Sequence, residues 1–141
     1  MSLVLLPQRS ANGYYSYSRT EQQYGTRPTI DAIIAICRAY YMMQHVMIGI
    51  GDMSYSDGRV FPPHNSHRDG KCADIRPVAT ARAPVPMNIH RADYDRDATA
   101  LLIVALRAHD NVLRILFNDR TIVGVVPYAG HDNHMHVIMK S

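Results

Sequence analysis

DRDATALLIVALRAHDNVLRILFNDRTIVGVV, residues 95–126, reads as one helix followed by two strands. Asp95 is an N-cap residue type, and Ala98, Leu101, Leu102, Ala105 and Leu106 recur at helical spacing, so a helix is predicted over about 96–109. Val112 to Phe117 and Thr121 to Val126 are apolar, β-branched runs, expected as strands joined by a turn at Asn118-Asp119. Working outward toward the C-terminus, residues 128–133 read as a loop and His134 to Met139 as the closing strand. Toward the N-terminus, residues 77–92 carry three prolines and little periodicity, a long excursion of the kind that is often functional. Ala73 to Arg76 and Val46 to Ile50 read as short strands, with a loop over 52–63 marked by Asp57-Gly58 and Pro62-Pro63. Ile30, Ile33, Ile34, Cys37 and Tyr41 lie on one helical face, predicting a helix capped by Thr29 and running to about Gln44. Residues 1–28, rich in Tyr, Ser, Gln, Arg and Gly, are expected as an irregular N-terminal arm on a single domain spanning 29–141. The pattern argues an α+β fold, a small, mainly antiparallel sheet flanked by two helices.

A chain that is 47% hydrophobic and 19% charged is globular in composition. No stretch approaches the roughly 20 apolar residues of a membrane span. The formal charge of +3 is mild, the Arg residues are scattered, and only Lys71 and Lys140 represent lysine, so nucleic acid is not an expected partner. Two cysteines, Cys37 and Cys72, are too few for a disulfide framework, and Cys37 falls on the apolar helical stripe. The start, Met1-Ser2-Leu3-Val4-Leu5-Leu6-Pro7, has no basic region and a short apolar run, which predicts no secretory signal peptide.

Eight histidines stand against a single glutamate, Glu21. Five of the histidines fall in two windows: His64 and His67, then His131, His134 and His136. The HExxH type of zinc peptidase needs a glutamate beside the metal, and neither window offers one. His67 and Asp74 are separated by a loop at Gly70 that lets both side chains turn toward one point. His134 and His136 share one face of a predicted strand, with Cα atoms roughly 6.6 Å apart. That spacing suits two ligands of one cation, and equally one ligand beside a neighbour poised over the open position. A set of His, Asp and His donors with a fourth position open is a catalytic zinc pattern, whereas structural zinc is closed by four ligands.

The runs Ile48-Gly49-Ile50-Gly51-Asp52-Met53-Ser54, Pro63-His64-Asn65-Ser66-His67-Arg68-Asp69-Gly70, Ala73-Asp74-Ile75-Arg76-Pro77 and Gly130-His131-Asp132-Asn133-His134-Met135-His136-Val137 resemble the penicillin-insensitive murein endopeptidase family. That family belongs to the lysostaphin, D-Ala-D-Ala peptidase and hedgehog-like group, and the motifs span roughly residues 46 to 138. The resemblance implies a hedgehog/D-Ala-D-Ala-peptidase-like fold and one zinc per chain, held by His67, Asp74 and His136. It implies His134 as the catalytic histidine, with His131 as alternative base or oxyanion donor. His64 and His131 become second-shell or substrate-contacting residues, with Ser66, Arg68 and Arg59 beside them. Arg76 also flanks the site, and peptidoglycan stem peptides carry carboxylates that an Arg could orient. The chain departs from the family at Cys72, where Asp is usual; on a strand Cys72 faces the same side as Asp74, where it could serve as a soft ligand, and it is expected rather to pack as a small apolar neighbour.

The implied activity is hydrolysis of peptide cross-links in peptidoglycan, D-Ala to diaminopimelate first among them. Zinc would polarise the scissile carbonyl and lower the pKa of a water toward about 7. The implied setting is a protein made in the cytoplasm and acting in the periplasm or cell wall. Delivery would be by a holin, as for a phage endolysin, or by a secretion machine, as for an antibacterial effector with a cognate immunity protein. Two other classes fit less of the sequence: a zinc-binding module without activity, and a metal-dependent nuclease, which would want a concentrated basic face.

Overall fold

The computed structural model describes residues 2–140. In chain order the elements are β1 (Val4–Leu5), β2 (Tyr14–Ser16), β3 (Tyr24–Gly25), α1 (Arg27–Gln44), β4 (Ile48–Ile50), β5 (Cys72–Ile75), α2 (Arg96–Ala108), β6 (Val112–Leu116) and β7 (Met135–Met139). The fold is α+β. β1 and β3 form a small antiparallel pair, and the other strands form one mixed sheet in the order β2-β4-β5-β7-β6. β2 runs parallel to β4, and the remaining neighbours are antiparallel. The N-terminal stretch, expected to be irregular, thus supplies three short strands, and one of them is an edge of the main sheet.

Period-two alternation divides that sheet into two chemically different faces. Ala73 and Ile75 of β5 and Met135, Val137 and Met139 of β7 are buried in the core with Ile30, Ile33, Ile36 and Tyr40 of α1 and Leu102, Ile103 and Leu106 of α2. The intervening residues, Cys72, Asp74 and His136, take the other face. There Cys72 stands opposite Ile138 and Asp74 opposite His136 in the β5–β7 ladder. Cys72 and Cys37 are both buried and free. Burial pushes their thiols up, to about 11 and about 12 respectively, so both pack as small apolar groups.

α1 starts earlier than its apolar stripe suggested. Thr26 is the N-cap, its hydroxyl accepting from Thr29 N at 3.3 Å, and Pro28 sits in the first turn, where its missing N–H costs nothing. α2 is capped as expected, Asp95 accepting from Ala98 N at 3.0 Å. The expected strand over 121–126 does not form; Val126 alone bridges to Leu116. Asp119 explains the difference. Its buried carboxylate accepts from Thr121 N, Tyr94 Oη and Arg96 Nε at 3.0, 2.7 and 2.9 Å, tying the chain into a turn. Burial works against that charge, yet the bonds outweigh it and hold the Asp119 carboxyl down at about 2. The long excursion is anchored, with Ile89 N donating to Asp132 O at 3.0 Å.

Candidate metal centre

β5 and β7 present Asp74 and His136 side by side, because these residues are directly paired across the ladder. His67 arrives from the loop between β4 and β5. Two left-handed positions, His67 at φ 61° and Gly70 at φ 73°, turn that loop back toward the sheet. At Gly70 a Cβ would lie 2.9 Å from Thr26 N and 2.6 Å from Leu3, so the turn requires glycine there.

The three side chains meet at their donor atoms. His67 Nε2 lies 3.1 Å from His136 Nδ1, and each nitrogen is 3.2 Å from Asp74 Oδ1. A tetrahedral cation with bonds of about 2.0–2.1 Å separates its ligands by about 3.3 Å, so the triangle has the size of one face of such a site. The protonation pattern also fits. His67 Nδ1 lies 2.7 Å from the Met53 carbonyl, which can only accept, so neutral His67 carries its hydrogen on Nδ1 and turns a lone pair toward the centre. His64 brings a second possible set: His64, His67 and Asp74 offer ligand atoms all within 4.8 Å of one another and could hold a metal ion. The set with His136 is the tighter, and His64 Nε2 is engaged elsewhere, at 2.8 Å from Asp52 Oδ2. Ser18 Oγ donates to the other oxygen of the same Asp52 carboxylate.

Electrostatics follow from this packing. Burial opposes the Asp74 charge, but hydrogen bonds from His136 and His67 outweigh it, holding the carboxyl well below the usual carboxylate range. Burial likewise pulls His67 down, and the Asp74 hydrogen bond and charge carry it above the ordinary histidine value. His134 differs. Burial and the neighbouring His131, His136 and His64 lower its pKa, with Asp74 opposing. Its Nε2 stays 3.9 Å from Asp74 Oδ1, and its side chain is 23% exposed against 8% for His136. It therefore stands beside the triad, at the cleft rather than beneath it, and is neutral at neutral pH.

Two clefts share His134 in their lining. One, of about 410 Å³, is lined by Tyr17, Asp52, His64, Asp74, Arg76 and His134 among others. The other, of about 450 Å³, is lined by Ser66, Leu116, Tyr128, His131, His134 and His136 among others. Ser66 Oγ lies 3.5 Å from His136 Nε2, and the His131 ring is 4.7 Å from the His134 ring. Arg59 and Arg68, expected at the substrate, line neither cleft. Arg59 stacks on Tyr55 and pairs with Asp57 at 3.2 Å, and Arg68 donates to Gly58 O, so both brace their own exposed loop. Asp52, Ser18 and the Met53 carbonyl were not anticipated. Asp52 and Met53 lie in the Gly51-Asp52-Met53 run that carried the family resemblance, while a backbone acceptor leaves no signal in a sequence.

No protein-family model matches the chain, and no curated protein matches it significantly.

Proposed function

We propose that this protein is a metal-dependent hydrolase whose cation is held by His67 Nε2, Asp74 Oδ1 and His136 Nδ1. Its particular reaction, on this reading, is zinc-dependent cleavage of peptide cross-links in bacterial peptidoglycan, as in the murein endopeptidases its motifs resemble. A fold like that of the hedgehog and D-Ala-D-Ala peptidase group is part of the same proposal. The observation that carries it is the triangle of donor atoms 3.1–3.2 Å apart, with His134 beside it in an open cleft.

Zinc bound there would supply a Lewis acid and a water acidified toward a pKa of about 7. The chain's own residues do the rest. His67 is oriented by the Met53 carbonyl, so its ligand nitrogen needs no reorganisation. His134, kept neutral by burial and nearby histidines, accepts a proton from the attacking water and returns it to the leaving amine. Its Nδ1 lies 2.7 Å from Asn133 Oδ1, which fixes the hydrogen on Nδ1 and leaves Nε2 as the basic atom facing Asp74. His131, within ring contact of His134, is the second base or the oxyanion donor. The substrate places the site of action in the periplasm or cell wall. Delivery by a holin or a secretion machine, with a cognate immunity protein in the second case, belongs to the same reading.

Purified murein sacculi incubated with the zinc-loaded protein, with and without a chelator, test this directly. Expected are shortened cross-links among the fragments and their loss on chelation, with about one zinc per chain. Protein that binds zinc and leaves sacculi intact would be a module without activity. Protein that binds no zinc after supplementation would lose the assignment altogether.

A further inference from the structure

We infer that Arg76 forms a subsite for a substrate carboxylate in the cleft beside the metal centre, an inference that takes the peptide substrate from the proposed function. Arg76 follows Asp74 by two residues, so both project from the same face of the sheet, and both line the 410 Å³ cleft. Its guanidinium is placed by a layered support. Gly49 on β4 and Gly51 just past its end leave room for aromatic rings: a Cβ would stand 2.7 Å from Tyr15 Oη at Gly49 and 2.4 Å from Tyr17 Cζ at Gly51. The parallel register of β2 sets Tyr15 beside Gly49. The Arg76 guanidinium then lies 3.9 Å from the centre of the Tyr17 ring and 5.9 Å from that of Tyr15.

What this cation lacks is an anion. Its one polar contact among the described residues is the Tyr15 hydroxyl at 3.5 Å, and none of the ion pairs among those residues includes it. The contrast with Arg59, Arg91 and Arg96 is direct, since each of those is paired with an aspartate. An Arg stacked on an aromatic ring keeps its planar fork free for bidentate bonding to a carboxylate. Asp52 and Asp74 line the same cleft, but His64 engages the first and His67 and His136 the second. Arg76 is thus the arginine lining that cleft beside Asp74, and no carboxylate among the described residues is bonded to its guanidinium.

The test compares a cross-linked stem-peptide dimer whose diaminopimelate carboxylate is free with the same dimer amidated at that group. Binding is read by calorimetry on zinc-loaded protein carrying His134→Ala to slow turnover, with and without Arg76→Gln. The free acid should bind about tenfold to a hundredfold tighter than the amide, and Arg76→Gln should erase that preference. Arg76→Lys, which keeps the charge and loses the stacked fork, should retain part of it. Equal affinity for acid and amide before Arg76 is touched would overturn the inference, and so would an undiminished preference in Arg76→Gln. Tighter binding of a short single-stranded DNA than of either dimer would overturn it in favour of a phosphate. Cleavage of sacculi by the unaltered chain is the separate readout. Acid-selective binding without cleavage removes the peptidase reading and leaves the subsite, and cleavage without acid preference does the reverse.

Discussion

Asp74→Asn removes one charge and keeps the side-chain shape, so its effect isolates the electrostatics of the centre. In the metal-free protein Asp74 Oδ1 faces His67 Nε2 and His136 Nδ1 at 3.2 Å and His134 Nε2 at 3.9 Å, with the His67 side chain 1% exposed. His67 is raised above its unfolded value of about 6.5. Its contribution to stability is thus full below that pH and lost as the pH climbs through the folded value. Asp74 is depressed, so its contribution is present above the unfolded value of about 3.9 and lost as the pH falls through the folded one. The two windows overlap between about pH 4 and pH 6.5, where the metal-free fold contains a buried cation–anion pair.

Breaking such a pair costs about 3–5 kcal/mol when the surviving partner stays charged. His67 escapes part of that by releasing its proton, so the expected loss is about 2–3 kcal/mol near pH 5.5. Near pH 8 it should shrink to about 1 kcal/mol, because His67 is then neutral and no ion pair remains to be broken. Zinc adds a second readout: at a thousand times its Kd it stabilises the original chain by about 4 kcal/mol, and Asp74→Asn should lose most of that increment. Urea unfolding of chelator-treated and zinc-loaded protein at pH 5.5 and 8 measures all four quantities. A metal-free loss that is equal at both pH values, or larger at pH 8, would show that His67 and Asp74 are not a charged pair. An undiminished zinc increment would remove Asp74 from the ligands.

His136→Ala should lose zinc and all activity, whereas His134→Ala should keep zinc and lose about 10²–10⁴-fold in turnover; zinc stoichiometry with a sacculus assay decides, and loss of metal in His134→Ala alone would reverse the two roles. Gly51→Ala drives a methyl into the Tyr17 ring, 2.4 Å from Cζ, and should cost about 1–3 kcal/mol in urea unfolding; an unaltered midpoint would mean the ring is not seated on that glycine. Cys37 and Cys72 should resist alkylation in the native protein at pH 8 and both react after denaturation, and a mass deficit of two hydrogens in non-reduced protein would contradict their being free.

Both helices were legible because their buried faces are long and periodic. What the sequence concealed was set by single side chains acting over a distance. Thr26 rather than Thr29 caps α1, since either hydroxyl precedes an apolar run and Pro28 tolerates both frames. Residues 121–126 have the composition of a strand, yet the Asp119 carboxylate curls the chain before they can pair. β2 carries no apolar alternation, and at the sheet edge it is held by its ladder to β4 and by Tyr14 buried in the core, with Tyr15 set against Gly49. At the site, the spacing of His134 and His136 left ligand and neighbour interchangeable. In the structure the two differ in depth: His136 stands directly opposite Asp74 in the β5–β7 ladder, and His134 is the more exposed.

That ladder also links the site to the core. A one-residue slip of β7 against β5 would turn His136 inward and Met135 and Val137 outward, so burial of those two residues enforces the pairing of His136 with Asp74. Two of the three donor atoms are therefore positioned by the hydrophobic core, whether or not a cation is present. The third is positioned by a loop, through the left-handed backbone at His67 and the Met53 carbonyl. Left-handed backbone at a residue other than glycine costs on the order of 1–3 kcal/mol. A cation bridging the three would offset that cost, and would bind the loop to the sheet more than it stabilised the sheet itself. The same loop carries Asp52 and His64 into the Arg76 cleft, so occupancy of the centre and the shape of the proposed carboxylate subsite depend on one segment.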